Sequence, residues 1–365
     1  MRATAKEKID PQSWTRDIVA HWFRSRGWRP FEFQRRAWDA YLAGKSGLIH
    51  AATGIGKTYA AWFGALMEWM ADSSPTSGML PQKVSPQLSV LWVTPLRALA
   101  TDLQAALLQV VEDLELPWSV ECRTGDTAAS VRNRQKKRLP TALVTTPESL
   151  NLLISYPAAR EKFKNLRLVV VDEWHELMGS KRGVMVEVAL ARLKSWTPRL
   201  KIWGLSATMG NTETAMSVLL GAAAGRGCLI QGLTAKSLVV ESIVPPQMER
   251  FPWAGHIGLK LLPRVLEKIR SAGSTLVFTN TRSQAELLFQ AILEARPDWV
   301  GRFGLHHGSL NRSERDRAEQ GTHAFQSLTR QQFDWVLNFV STGGSSLKVY
   351  SQFRKIAMKN GRSQA

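Results

Sequence analysis

Long apolar runs, cysteines and an apolar leader are all scarce or missing in this chain of 365 residues. No apolar run approaches the roughly 20 residues that a membrane helix needs, so a membrane partner is not expected. The polar start, Met1–Gln12, lacks the apolar core of a signal peptide. The two cysteines, Cys122 and Cys228, fall in apolar runs where we expect small core residues, and their scarcity suits a reducing compartment. These absences favour a cytoplasmic protein.

Acidic residues are also few beside the basic ones. The chain has 48 Lys and Arg against 30 Asp and Glu, which gives a formal net charge of +18. Such an excess favours a polyanionic partner, although a soluble basic protein with no nucleic-acid role has the same composition. The hydrophobic content of 44% and the charged content of 21% are ordinary for a globular chain with room for about two domains.

A glycine loop stands between a predicted strand, Gly47–His50, and a helical pattern that starts at Tyr59. Glycines let backbone N–H groups approach an anion, and the helix start adds positive potential. A lysine there reaches the β- and γ-phosphates of a nucleotide, and a hydroxyl ligates Mg²⁺. We therefore predict an ATP·Mg²⁺ site. The alternative is a glycine turn whose lysine is there by chance and binds no phosphate. The residues of the predicted site are Thr53, Gly54, Ile55, Gly56, Lys57 and Thr58.

Gln34 lies shortly before this loop, in a predicted helix that runs to about Leu42. A glutamine amide offers the donor and the acceptor that match the edge of adenine, so Gln34 is a candidate base contact with Phe31 packed nearby. Exposed glutamines on helices are common, so the prediction depends on the neighbouring loop. The similar segment Gly44-Lys45-Ser46 precedes the strand, and we expect it to be an exposed surface loop.

Strands and helices then alternate, which predicts an α/β fold with a mainly parallel, doubly wound sheet and helices on both faces. In such sheets the functional residues lie beyond the carboxyl ends of the strands. Each predicted strand ends in a polar cluster, so the clusters are expected along one edge. The predicted strands are Leu88–Val93, Ser119–Cys122, Thr141–Val144, Leu166–Val171 and Lys201–Leu205.

An acidic pair, Asp172-Glu173, follows one of these strands. Asp172 is predicted to hold Mg²⁺ and Glu173 to polarise water, and the alternative is a pair of helix N-cap residues. His175 is expected to link the nucleotide site to a neighbouring motif, unless it is a surface histidine. Two acidic side chains without a histidine cluster argue against zinc.

Short polar side chains and one cation follow the other strands. Hydroxyls and helix N-termini contact a nucleic-acid backbone without reading its sequence. Each residue alone also suits a helix cap, but the set predicts a row of phosphate contacts. The basic run 132–138 either adds electrostatic attraction or is a solvated helix face. The predicted contacts are Thr94, Arg97, Thr124, Thr146 and Ser149.

Five clusters resemble motifs I, Ia, Ib, II and III of a superfamily 2 helicase, in that order. They read Ala-Ala-Thr-Gly-Ile-Gly-Lys-Thr, Thr-Pro-Leu-Arg-Ala, Thr-Pro-Glu-Ser, Asp-Glu-Trp-His and Leu-Ser-Ala-Thr. With residues 28–34 and 179–183, the Asp-Glu-Trp-His motif resembles the Lhr-like, ligase-associated DEXH-box helicases of bacterial DNA repair.

That resemblance implies a P-loop NTPase with two RecA-like domains, ATP and Mg²⁺ as cofactors, and movement along a single strand. It implies single-stranded DNA rather than RNA, with a repair ligase or nuclease as further partners. It also gives Ser206 and Thr208 a coupling role, and it places Asn280 and Arg282 in motif IV of the second domain.

The resemblance breaks down after about residue 320. The chain has no Gly-Val-Asp-type motif V and no Gln-x-x-Gly-Arg-x-Gly-Arg-like motif VI, which would supply the arginine finger. Phe333–Leu337 looks like a piece from further along the family's longer chain. We therefore expect an internally deleted or frame-disrupted relative.

The predicted domains are 1–243 with the N-terminal helices and the ATP-binding RecA-like domain, 244–322 as an incomplete second RecA-like domain, and 323–365 as a basic helical tail. The predicted function is an ATP-dependent DEXH-box helicase or translocase in DNA repair. The alternative is a truncated, non-catalytic fragment that binds ATP and nucleic acid. A small-molecule P-loop kinase is disfavoured because it leaves the strand-end threonines and the charge unexplained.

Overall fold

The computed structural model describes residues 11–73, 85–207, 209–232, 241, 243, 261–272, 275–279, 281–307, 309–311, 313, 318 and 348–351. The chain divides into two compact units, residues 1–236 and 237–365. No helix within the described ranges is long and apolar enough to span a membrane.

The first unit is a sheet of seven strands with helices packed on it. Its strands are β1 (Gly47–His50), β2 (Val90–Val93), β3 (Val120–Arg123), β4 (Ala142–Thr145), β5 (Leu168–Val171), β6 (Lys201–Ser206) and β7 (Cys228–Gln231). Its helices are α1 (Pro11–Ser25), α2 (Glu32–Leu42), α3 (Lys57–Ser73), α4 (Arg97–Asp113), α5 (Ala129–Lys137), α6 (Pro147–Ile154), α7 (Ala159–Phe163), α8 (Trp174–Leu177), α9 (Lys181–Trp196) and α10 (Thr212–Leu220). A 3-10 helix, Gly221–Arg226, leads into β7.

Every pairing in this sheet is parallel, and the strand order is β3-β4-β2-β5-β6-β1-β7. The predicted doubly wound parallel sheet is thereby confirmed. The edge strand β7 was not among the predicted strands. It contains Cys228, and both Cys228 and Cys122 are partly buried free thiols that pack against the core.

The central strands of the sheet bury every side chain, because helices cover both faces of the sheet. Along β5, Leu168 and Val170 belong to one hydrophobic cluster, whereas Val169 and Val171 belong to the other. This alternation follows from the two-residue period of a strand. The first cluster joins the sheet to α1–α4, and the second joins it to α6–α10. Two packed faces hold the carboxyl edge of the sheet in place.

The second unit contains α11 (Leu262–Ser271), β8 (Thr275–Phe278) and α12 (Arg282–Ala295), followed by the 3-10 helix Pro297–Trp299. The resemblance predicted a motif IV segment in this region, at Asn280 and Arg282. β8 pairs antiparallel with β9 (Lys348–Ser351). The segment 323–347, most of the predicted tail, and the connector 245–252 lie outside the described residues.

Candidate functional site

The strand order separates the candidate residues of the first unit into two adjoining groups. The neighbouring strands β5, β6 and β1 end at the acidic pair, at Ser206 and at the glycine loop. The strands β3, β4 and β2 form the other half of the sheet and lead to Thr124, Thr146 and Thr94. Because all these strands are parallel, both groups lie along one edge.

The glycine loop has the backbone that an anion cradle needs. Gly54 and Gly56 have φ angles of +80° and +84°, values that L side chains rarely adopt. The side chain of Lys57 is buried, and its Nζ donates to the carbonyl oxygens of Ala51 at 2.9 Å and Ala52 at 3.2 Å. The ammonium group therefore lies against the loop, at the first residue of α3.

Gln34 is tied to this loop. Its Oε1 accepts from the Phe31 N–H at 2.8 Å, and its Nε2 donates to the Gly56 carbonyl at 2.9 Å. A Cβ on Gly56 would lie 2.6 Å from that Nε2, so the contact also requires glycine at this position. Gln34 is only 1% exposed, which contrasts with a surface glutamine. The Phe31 ring stacks on Phe33 at 5.9 Å.

Asp172 directly follows β5, and hydrogen bonds orient both of its carboxylate oxygens. Oδ2 accepts from the indole N–H of Trp92 at 3.3 Å, and Oδ1 accepts from the Glu173 N–H at 2.9 Å. Burial, followed by the nearby charge of Glu173, raises the pKa of Asp172 from 3.8 to about 6. An anion that is held this way in a site of low polarity favours a cation beside it.

Glu173 has a left-handed backbone, with φ 46° and ψ 47°. This conformation costs a non-glycine residue about 1 kcal/mol or more, and such residues concentrate at functional sites. The strained residue separates β5 from α8, so the chain turns sharply at the acidic pair.

His175 connects the acidic pair to the end of β6. Its Nδ1 lies 3.3 Å from the Ser206 hydroxyl and 3.5 Å from a carboxylate oxygen of Glu173. Ser206 in turn accepts the Ala51 N–H at 3.0 Å through its carbonyl. One chain of contacts thus runs from Glu173 through His175 and Ser206 to the glycine loop. Thr208 lies outside the described residues.

The residues present fit a magnesium ion better than a metal that needs its own protein cage. The described residues contain no group of three or more His, Cys, Asp or Glu side chains that could hold a metal. Mg²⁺ commonly uses one carboxylate together with substrate phosphates and water. Thr58, beside the cradle, and Asp172, an oriented carboxylate, would hold it. When bound, the ion would neutralise developing phosphate charge.

The strand-end threonines of the other half are buried. The Thr94 hydroxyl has no hydrogen-bond partner among the described residues. Thr124 Oγ1 accepts from the Asp126 N–H at 3.2 Å, and Thr146 Oγ1 contacts Ser149 Oγ at 3.3 Å. Such short-range bonds are those of turn and cap residues. Among the described residues, neither N-cap residue, Leu96 of α4 or Thr146 of α6, makes a side-chain cap hydrogen bond, so those helix starts present backbone N–H groups.

Two ion pairs join this row to its surroundings. Arg97 pairs with Asp126 at 3.1 Å, and its guanidinium packs so closely on Gly125 that a Cβ there would lie 2.9 Å away. Arg182, in the first turn of α9, makes a two-pronged contact with Glu148 at 2.6 and 3.1 Å. The second pair fixes the segment after α8 against the start of α6.

In the second unit, Arg282, the first residue of α12, donates to the Ser309 hydroxyl. Asn280 lies outside the described residues.

Several partners in this site were not predicted from the sequence. Trp92 orients Asp172 from the neighbouring strand, and Asp126 and Glu148 hold the two arginines. Each pair is separated by tens of residues, so only the strand order could reveal it. The one available signal was general, since a buried indole N–H needs an acceptor.

Comparison with known proteins agrees with this geometry. Residues 31–216 match the model of the DEAD/DEAH box helicase family, and residues 308–365 match the Large helicase-related protein, winged helix domain. The ATP-dependent helicase Lhr-Core of Methanothermobacter thermautotrophicus is 32% identical over 319 residues, which is 83% of this chain. The chain belongs to the Lhr family of DEAD/DEAH box helicases.

Other Lhr proteins are similar to the chain as well. The Lhr helicase/probable uracil glycosylase of Mycolicibacterium smegmatis is 32% identical over 80% of the chain. The structure of Mycobacterium smegmatis helicase Lhr bound to ssDNA and AMP-PNP superposes with a TM-score of 0.69 and 29% identity, covering 91% of this chain and 42% of that one. The chain spans 36% of the Lhr-Core relative and 19% of the Mycolicibacterium relative.

Proposed function

We propose that this Lhr-family chain binds ATP·Mg²⁺ at the carboxyl ends of β1, β5 and β6, and a single strand of nucleic acid at the carboxyl ends of β2, β3 and β4. ATP hydrolysis at the first site would drive movement along the strand at the second. The observation that carries the proposal is the sheet order, which places the two candidate groups side by side along one edge.

The nucleotide half of the proposal assigns a separate role to each of five residues. Lys57 balances phosphate charge, and Thr58 and Asp172 hold the metal. Glu173 orients the attacking water. His175 carries the state of this site to Ser206, because it lies within 3.5 Å of both Ser206 and Glu173.

The strand half rests on the uncapped starts of α4 and α6 and on the exposed cation of Arg97. Helix N-termini and basic side chains bind a phosphate backbone without sequence preference. DNA is the proposed strand, since the similar mycobacterial Lhr structure contains single-stranded DNA. A role in DNA repair, with ligase or nuclease partners, extends the same proposal.

The test measures ATP affinity and ATP hydrolysis, with and without single-stranded DNA. Lys57→Ala should abolish ATP binding, because it removes the phosphate cation. Lys45→Ala is the matched control, since Lys45 is exposed in a loop shortly before the same strand. Unchanged ATP affinity in Lys57→Ala would refute the site. Equal stimulation of ATP hydrolysis by single-stranded RNA and by single-stranded DNA would refute the preference for DNA.

A second candidate is a fragment that binds both ligands without turnover. The winged helix match begins at residue 308, directly after the segment 281–307, and no motif V or VI stands between the motif IV region and this match. We propose that this juxtaposition reflects an internal deletion. ATP binding that persists without any DNA-stimulated hydrolysis would favour this candidate over the helicase.

A further inference from the structure

A strongly basic surface lies outside the residues that are assigned above to the nucleotide and the single strand. It is formed by α5 and α7, and its cations are exposed or partly exposed. The stretch 127–147 contains no acidic residue. We call it the α5–α7 basic surface, and its residues are Arg132, Lys136, Lys137, Arg138, Arg160 and Lys162.

Contacts show that the two helices form one continuous surface. Lys162 donates through Nζ to the Lys136 carbonyl, and Lys136 Nζ lies 5.8 Å from the centre of the Tyr156 ring, in the turn between α6 and α7. Arg132 and Lys136 are four residues apart, so they share a helix face. Arg138 extends the surface through its hydrogen bond to the Ser85 carbonyl.

Helix α5 is attached to the sheet mainly through other side chains. Helix α5 is held by Glu121, which accepts from Arg134 at 2.9 Å and from Gln135 at 2.8 Å, and by the buried Arg123, which donates to the Arg132 carbonyl. Among the described residues, none of the six cations of the surface has an ion pair with a carboxylate. Like charges at four-residue spacing are mildly destabilising. A cluster of this kind is suited to an anionic ligand.

We propose that the α5–α7 basic surface binds the backbone of double-stranded DNA. A duplex has a high, regular charge density, and cations alone suffice to bind it. Many single-strand sites add aromatic rings on which bases stack, whereas the Tyr156 ring of this surface lies under Lys136. The proposal shares the nucleic-acid role of the proposed function but does not depend on the nucleotide site. Helix α5 leads away from the carboxyl end of β3, so Arg138 lies towards the opposite edge of the sheet.

The test uses the full chain, a short blunt DNA duplex and a single strand of equal length, with binding followed by fluorescence anisotropy. The test variant combines Lys136→Gln, Lys137→Gln, Arg138→Gln and Lys162→Gln. The control variant combines Arg24→Gln, Arg192→Gln, Arg199→Gln and Arg226→Gln, which changes the net charge equally at exposed positions elsewhere in the first unit. Thermal melting of both variants checks that they fold.

Duplex affinity at about 0.1 M salt should fall by about tenfold or more in the test variant, and by about twofold or less in the control. The slope of log affinity against log salt should become shallower by about 2 to 4, since each lost phosphate contact removes about 0.9. ATP affinity and single-strand affinity should stay unchanged. A third variant with Lys136→Arg, Lys137→Arg and Lys162→Arg should retain duplex binding.

The proposal is overturned if the test and control variants bind the duplex equally, which would leave an acidic protein segment as the candidate ligand. It is also overturned if single-strand affinity falls as much as duplex affinity, because the surface would then belong to the path of the single strand. Loss of ATP binding in Lys57→Ala bears on the proposed function alone.

Discussion

At the scale of single residues, the acidic pair shows how burial prepares a site for a cation. Asp172 is oriented by Trp92 and by its own neighbour, yet its charge lies in a poorly hydrated place. Its carboxyl pKa of about 6 lies above the value of about 3.9 expected in an unfolded chain. The folded protein therefore binds the proton more tightly between those values.

This difference predicts how stability depends on pH. Because its carboxyl pKa is raised, Asp172 contributes up to roughly 3 kcal/mol to the free energy of unfolding. That contribution is fully present below pH ~4 and is lost as the pH rises through about 6. Asp172→Asn should therefore stabilise the ligand-free protein at pH 7.5 by about 1 to 2 kcal/mol. Removal of the buried charge is stabilising, and the loss of one hydrogen-bond acceptor offsets part of that gain. Urea unfolding between pH 4 and pH 8 measures it.

The exposed Glu112→Gln is the control and should leave the pH profile unchanged. A destabilised Asp172→Asn protein at pH 7.5 would contradict the argument. The same variant should lose Mg²⁺-dependent ATP affinity, so stability and binding move in opposite directions.

At the scale of helices and strands, one polar cluster joins three elements on the side of the sheet away from the nucleotide site. Glu68 of α3 accepts from the Tyr41 hydroxyl of α2 at 2.7 Å and pairs with Lys201 at the start of β6. The Lys201 ammonium also lies 3.8 Å from the centre of the Tyr41 ring. Burial raises the pKa of Tyr41 and lowers that of Lys201, and the carboxylate of Glu68 opposes the lowering of the lysine pKa.

Removing one partner should therefore cost more than removing two. Glu68→Gln leaves the mostly buried Lys201 without its counter-charge and should destabilise the protein by about 2 kcal/mol. The double variant Glu68→Gln with Lys201→Met should recover part of that loss. Midpoints of urea unfolding decide it, and a single variant within about 0.5 kcal/mol of the original protein would show that the pair is worth little.

The positions of most strands were predictable from sequence, because continuous apolar runs identify buried parallel strands. The predicted strands that became β1 to β6 start and end within two residues of the observed ones. The phosphate loop was equally visible, since its chemistry is local. The edge strand β7 and the strand order were not predicted, because pairing depends on contacts between distant segments. The partners Trp92 and Glu148 were missed for that same reason.

At the scale of the whole molecule, the first unit carries the candidate nucleotide residues, whereas the described part of the second unit consists of α11, β8, α12, a 3-10 helix and β9. By the resemblance, motif VI would supply the arginine finger, and we propose that this chain lacks that motif. An arginine finger accelerates nucleotide hydrolysis by about 10³- to 10⁵-fold in related systems. Binding and turnover should therefore separate in this protein.

We expect DNA-stimulated ATP hydrolysis at least about 10³-fold slower than that of the Mycolicibacterium Lhr helicase measured beside it, with ATP binding retained. Steady-state hydrolysis and equilibrium binding of a fluorescent ATP analogue give the two quantities. A rate within tenfold of the longer relative would mean that another group replaces the missing arginine.

The hydrogen bond from Gln34 to the Gly56 carbonyl has a practical consequence for studies of base selectivity. A substitution at Gln34 would release the glycine turn as well as any contact with adenine. Weaker binding of GTP, or even of inorganic triphosphate, would then accompany weaker binding of ATP, and the two causes could not be told apart. Selectivity is better measured by altering the purine ring of the ligand and leaving the polypeptide intact.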